Sequence, residues 1–293
     1  MQYEWAAGHI RAGLGALRIE QLDRDDIARW LDGLAGGGRL SRRSISIMRM
    51  VLRATMADAV ESGQLRRSPA GRMGMPRNVV KASRHRETDA WTEDRLPAFL
   101  EAIGGHRWEG ALRLDVLYGL RRSELLGLQW ATVDLHKGVV RIVRGLIEVH
   151  GRPEFSDGKN ARSRRLIPID AGTATALHAH RRFQAEERLA AGAHWDDQGL
   201  VVATRHGNRV SPGNFDQTLD RLVSAAGVPR LTSHGLRHTA ATHIVRHASD
   251  IGEIRAIADI LGHSPDMLMR TYAHAMPESV RTVTDKIAAR AGR

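Results

Sequence analysis

From residue 22 onward the apolar positions recur at helical spacing. Leu22, Ile27, Trp30, Leu31 and Leu34 fall near one face of residues 22–35. The glycines at 36–38 stop that helix. A second helix is predicted from about Ser41 to about Ser62, with Ile45, Met48, Leu52, Met56 and Ala59 turned to a core. Beside that face Arg42, Arg49 and Arg53, with Ser46, make a basic stripe, and no acid occurs between Asp32 and Asp58. Ahead of both lies only a short apolar segment, residues 3–17. A helical bundle closes its core with about four helices, so this part reads as shortened at its N-terminus.

The pattern then breaks. Residues 71–90 have no apolar period and carry Gly, Pro and a run of basic groups, as in an extended basic linker. Helical spacing resumes over 91–103, with Pro97 interrupting it early, and over 108–119. Ser123 is a candidate cap for a short helix ending before Trp130. The period then becomes strand-like at 139–143, 146–149 and 165–169, punctuated by Gly138, Gly145, Gly151 and Gly158. Helices follow at about 172–191, 212–226, 233–247, 250–261 and 264–274, with a last one from about 277. The expected fold is mainly α with one small antiparallel β-sheet in the second part, an α+β pattern. The expected divisions are a helical domain 1–76, a linker 77–90 and a larger domain 91–293.

Composition narrows the chemistry. The 293 residues contain no cysteine, which excludes disulfides, thiolate metal sites and cysteine nucleophiles. No apolar run is long enough to span a bilayer, and no secretory segment is visible, so a cytoplasmic protein is expected. The formal charge is +11, from 44 Lys+Arg against 33 Asp+Glu. Only four of the basic residues are lysine: Lys81, Lys137, Lys159 and Lys286. Residues 1–90 hold 16 Lys+Arg and 10 Asp+Glu, so the first third is more than twice as basic per residue as the rest. A polyanionic partner fits this charge. Arginine-rich coding fits it equally well.

Four local patterns carry candidate chemistry. In GLRRSELLGLQW (119–130) an arginine follows a glycine turn and opens a helix, which suits an anion site and equally a capped helix with solvated arginines. In HGLRHTAATH (234–243) His234 and Arg237 lie one helical turn apart, a proton carrier beside a phosphate fork. The rival reading is a metal site, from the i,i+4 pairs His234/His238 and His243/His247, but no His-Glu-x-x-His is present. In LGHSP (261–265) Gly262 reads as a helix-ending residue and Pro265 as the start of the next helix, leaving His263 on the turn. In RTYAH (270–274) Tyr272 is the one of three tyrosines in a polar, basic setting.

Taken in order, these patterns resemble the tyrosine recombinase family of phage-type integrases over nearly the whole chain, most closely over 115–275. The resemblance implies a catalytic set of Arg121, Lys159, His234, Arg237, His263 and Tyr272, with Glu124 bracing the site. Of the two lysines in the β region, Lys159 matches because it precedes the 165–169 strand, as the family's lysine precedes its second strand. A lysine can pass on a proton where an arginine cannot. The implied reaction is strand cleavage by tyrosine, giving a 3′-phosphotyrosyl link, with no metal, nucleotide or other cofactor. The implied partner is double-stranded DNA, held in a two-domain clamp. Arg42, Arg49, Arg53, Arg77, Lys81 and Arg84 would touch its backbone. The implied assembly is a homo-tetramer on two sites, with a monomer possible when free. Topoisomerase-like relaxation, or DNA binding without cleavage, are the competing outcomes.

Overall fold

The structure is a computed structural model that describes residues 2–71, 73–76, 90–149, 151–157, 164–248 and 250–272. The chain divides into two compact units, 1–86 and 87–293. The expected linker contacts Arg77, Lys81 and Arg84 lie outside the described residues.

Among the described residues three helices form the first unit: α1 (Gln2–Leu14), α2 (Arg24–Gly36) and α3 (Arg42–Glu61). The segment ahead of α2 is thus a true helix of 13 residues. Asp23 caps α2 by accepting the Asp26 N–H at 2.7 Å, and the Asp26 carboxylate accepts the Asp23 N–H in return. Ser41 does the same for α3 through the Ser44 N–H. All five expected core positions of α3 are buried, with Ile27, Leu31 and Ala35 of α2 also buried in this unit. Burying a side chain of this size contributes about 1.5–3 kcal/mol.

In the second unit a 3₁₀ turn (Glu93–Arg95) precedes α4 (Leu96–Ala102), so Pro97 starts the helix rather than interrupting it. Then come α5 (Glu109–Tyr118) and α6 (Arg122–Leu126). Arg121, not Ser123, is the N-cap of α6. The strands are β1 (Val133–Asp134), β2 (Val139–Ile142), β3 (Arg144–Val149), β4 (Arg152–Asp157) and β5 (Arg165–Pro168). Among the described residues they make two antiparallel sheets rather than one: β1-β2-β5 and the hairpin β3-β4. In the first sheet Val140 pairs with Ile167, and Ile142 with Arg165. Val140, Ile142, Ile167 and Arg165 are all buried, whereas Arg141 and Leu166 face outward.

The remaining helices are α7 (Ala171–Ala191), α8 (Pro212–Ala225), α9 (Ser233–Arg246), α10 (Ile251–Leu261) and α11 (Pro265–Tyr272). Helix α9 is buried nearly all round, through Gly235, Leu236, Arg237, Thr239, Ala240, Ala241 and Val245. Trp91 ties the start of the unit to it, donating its N–H to Thr239 Oγ1 at 2.9 Å. Among the described residues no helix is long and apolar enough to cross a membrane. The last expected helix, from about 277, lies outside them.

Candidate active site

The site is built around the C-terminal end of α10. A helix leaves its last carbonyls without intrahelical partners and carries partial negative charge there. Gly262 ends α10 in the left-handed conformation (φ 61°), and Pro265 opens α11 three residues later. Three arginines from three different elements take up the exposed carbonyls in sequence. Arg165 of β5 donates Nε–H to the Ile260 carbonyl at 2.6 Å. Arg237 of α9 donates to the Leu261 carbonyl. Arg121, at the head of α6, donates to the Gly262 carbonyl at 3.0 Å.

A carboxylate organises two of these cations. Glu124 accepts both Arg165 Nη atoms, at 2.9 and 2.7 Å, in a forked pair. It also accepts Arg121 Nη1 at 2.7 Å and the Arg121 backbone N–H at 2.9 Å. Burial alone would push the Glu124 carboxyl up, but the bonds and charge of Arg165, followed by those of Arg121, outweigh it and hold it down at about 2. One anion thus serves two guanidiniums. Arg121 keeps 40% of its side chain exposed, whereas Arg165 keeps 5%.

Arg237 is buried and also donates to the Gly119 carbonyl. Gly119 is itself left-handed (φ 63°), and a Cβ there would lie 3.2 Å from Ala240 Cβ and 3.3 Å from the Arg237 carbonyl. The turn before Arg121 therefore packs directly onto α9. Arg237 Nη2 lies 2.6 Å from His263 Nε2. A guanidinium only donates, so Nε2 is the acceptor and the ring proton sits on Nδ1. Burial, then the charges of Arg237, Arg121 and Arg165, push His263 down to about 3, so the ring is neutral. Beneath α9, Asp115 of α5 is fully buried and accepts the Ser233 hydroxyl at 3.1 Å. Burial pushes Asp115 up to about 8, against the weaker pull of Ser233 and Arg237.

The phage integrase family model matches residues 91–279. The chain belongs to that family. It is 27% identical to a XerC-like tyrosine recombinase of Caldanaerobacter subterraneus subsp. tengcongensis, over 95% of this chain and 76% of that protein. It is 28% identical to the tyrosine recombinase XerC of Mycobacterium tuberculosis, over 93% of this chain and 86% of that one. Among solved structures it is similar to the Tn1549 transposon integrase in complex with transposon right end DNA. That likeness has a TM-score of 0.78 at 21% identity, covering 98% of this chain and 92% of the other. It is also similar to a lambda integrase tetramer bound to a Holliday junction, with a TM-score of 0.62 at 18% identity, covering 89% and 70%. At these identities the structural likeness shows the fold.

Within this integrase-type fold, four of the residues singled out from the sequence meet: Arg121, Glu124, Arg237 and His263. His234 stands exposed in the first turn of α9, its ring edge-on to His238 at 4.7 Å. Tyr272 ends α11, nine residues beyond His263, and its side chain lies outside what the structure describes. Lys159 also lies outside the described residues. Glu93 lies 3.4 Å from His243 and 3.3 Å from His247, yet no group of three or more residues suited to a metal occurs among the described residues. In the first unit Arg42 and Arg53 are exposed, whereas Arg49 is partly buried and donates to the Met73 carbonyl. Arg165 was not singled out from the sequence. Its signal was there: a strand that alternates Arg165, Leu166, Ile167 and Pro168 next to Val140 and Ile142 turns either Arg165 or Leu166 inward, and an inward arginine demands an acid.

Proposed function

We propose that this chain is a site-specific DNA recombinase that cleaves and rejoins strands through Tyr272. The observation that carries the reading is the set of three guanidiniums and one histidine drawn onto the single turn 260–263, at the head of the helix that ends in Tyr272. A phosphodiester under attack gains charge on its non-bridging oxygens. Arg121 and Arg237, held in fixed positions, would stabilise that charge without reorganising. Tyr272 Oη would attack phosphorus, and the 5′ oxygen would leave, taking a proton from Lys159. His234 would accept the tyrosine proton. The product is a 3′-phosphotyrosyl link, which a 5′ hydroxyl can reverse, so no nucleotide is consumed. Donation by His263 requires its other tautomer, which becomes available once phosphate oxygens replace Nε2 as the partner of Arg237.

The partner is double-stranded DNA, and the working assembly is a homo-tetramer on two sites, with the free protein monomeric. The lambda integrase tetramer on a Holliday junction supports that assembly. A DNA substrate fits a cytoplasmic protein. A pool of nicked duplexes with randomised cores, incubated with the purified chain and then denatured, should yield a covalent protein–DNA adduct enriched for one core sequence. Tyr272→Phe should abolish the adduct. If Tyr272→Phe traps as much DNA as the wild type, the assignment of the nucleophile is wrong. Specific binding without an adduct would reduce the chain to a binding protein, and relaxation of plasmids without core preference would make it topoisomerase-like.

A further inference from the structure

Arg165 is not used by the chemistry above, yet all three of its guanidinium nitrogens are bonded within the site. It reaches both oxygens of Glu124 and the Ile260 carbonyl at once. Those three acceptors belong to two elements that must keep a fixed spacing. Glu124 sets Arg121 through a side-chain bond and a backbone N–H bond. Ile260 is the last full turn of α10, directly ahead of the carbonyls held by Arg237 and Arg121 and of His263. Only a planar fork with a third donor at Nε spans such a set.

We propose that Arg165 is a positioning residue for strand cleavage: by gripping Glu124 and Ile260 together, it fixes Arg121 relative to the turn that carries His263. This rests on the recombinase reading. Arg165 lies 5% exposed beneath the site, so it acts through Glu124 and the turn rather than on the phosphate. The groups facing the Glu124 carboxylate are Arg121 from its own helix and Arg165 from β5, with Arg237 of α9 and His263 beyond the turn. Removing Arg165 leaves a buried carboxylate whose ionisation only Arg121 still favours at contact distance. The carboxyl should then take up a proton within the assayable pH range, and its grip on Arg121 should fail as it does.

The test is the initial rate of covalent trapping on the duplex enriched above, measured from pH 5 to pH 9 for four proteins: wild type, Arg165→Lys, Arg165→Met and the double variant Arg165→Met with Glu124→Gln. Misplacement of catalytic groups by about an ångström lowers rates by about 100-fold, and Arg165→Met should lose about that much at the acid end. Its profile should gain an acid limb in addition to any that wild type and the double variant share. Arg165→Lys keeps a charge beside Glu124 but loses the fork, so its rate should fall without a new limb. Circular dichroism of each protein separates these effects from unfolding. If Arg165→Met folds and its profile runs parallel to that of wild type, or if Arg165→Lys equals wild type in rate, the positioning role is wrong. If wild type itself traps no DNA, the recombinase reading fails, and this inference fails with it.

Discussion

Glu124 and Asp115 are both buried carboxylates, and their surroundings send them in opposite directions. Glu124 meets two guanidiniums and stays ionised down to about 2. Asp115 accepts a bond from the Ser233 hydroxyl, and burial holds its proton on up to about 8. The linkage consequences differ in sign. For Glu124 the folded state prefers the charged form. Its stabilisation is present above the ordinary carboxylate range and is lost as pH falls toward about 2. For Asp115 the folded state prefers the neutral form. Between the ordinary carboxylate range and about 8 the unfolded chain binds fewer protons, so stability falls as pH rises through that window. Asp115→Asn removes this dependence. Its Tm should come nearest wild type at about pH 4, within the ordinary carboxylate range, and exceed it increasingly toward pH 8. Parallel Tm curves for the two proteins would show that Asp115 does not titrate there. Glu124→Gln should do the reverse of stabilising: it leaves Arg165 buried beside a neutral amide, a change that costs about 3–5 kcal/mol when one partner of a buried pair is removed. Urea midpoints should rank the double variant Arg165→Met with Glu124→Gln above Glu124→Gln alone.

The elements of the site differ in how openly the sequence declares them. The α10–α11 turn was visible because glycine and proline each have one strong use there, and the structure puts both to that use. Strand β4 was not visible. Its residues Pro153, Glu154, Ser156 and Asp157 give no apolar alternation, and Phe155 alone packs against the core, opposite Leu146. The strand exists because β3 pairs with it, a non-local cause that no short window contains. Ser123 misled for a related reason. It is a good cap by type, but Glu124 takes the Arg121 N–H and moves the helix start back to Arg121. Arg165 was hidden because a strand of four residues can point either phase inward, and the acid that settles the phase is 41 positions away. Gly119 tests how tightly the α5–α6 turn is bound to α9. Gly119→Ala forces an L residue into left-handed geometry, at about 1–2 kcal/mol. It also presses a methyl toward Leu261, Ala240 and the Arg237 carbonyl, the tightest approach being 3.1 Å. Unfolding by urea should show a loss of at least that size, and trapping should fall with it because Arg237 is bonded to the same turn. A variant as stable and as active as wild type would mean that the turn gives way freely.

For the molecule as a whole, a charge of +11 does not by itself distinguish DNA binding from arginine-rich coding, because coding scatters arginines without regard to a surface. The structure separates the arginines by their surroundings. Helix α3 exposes Arg42 and Arg53, whereas Arg49, on the same stripe, turns back to the Met73 carbonyl. The stripe read from the sequence is therefore two kinds of residue. If Arg42 and Arg53 neutralise phosphates, each removes one condensed counterion on binding, and the slope of log K against log salt should lose about 0.9 for each contact deleted. Arg42→Ala and Arg53→Ala should each flatten that slope by about one and leave the Tm within error of wild type. Arg49→Ala should act differently, lowering the Tm of the first unit by releasing Met73 and changing the slope little. Titrations of a duplex at four salt concentrations decide this. Unchanged slopes for Arg42→Ala and Arg53→Ala would assign those arginines to coding bias and move the phosphate contacts elsewhere on the chain.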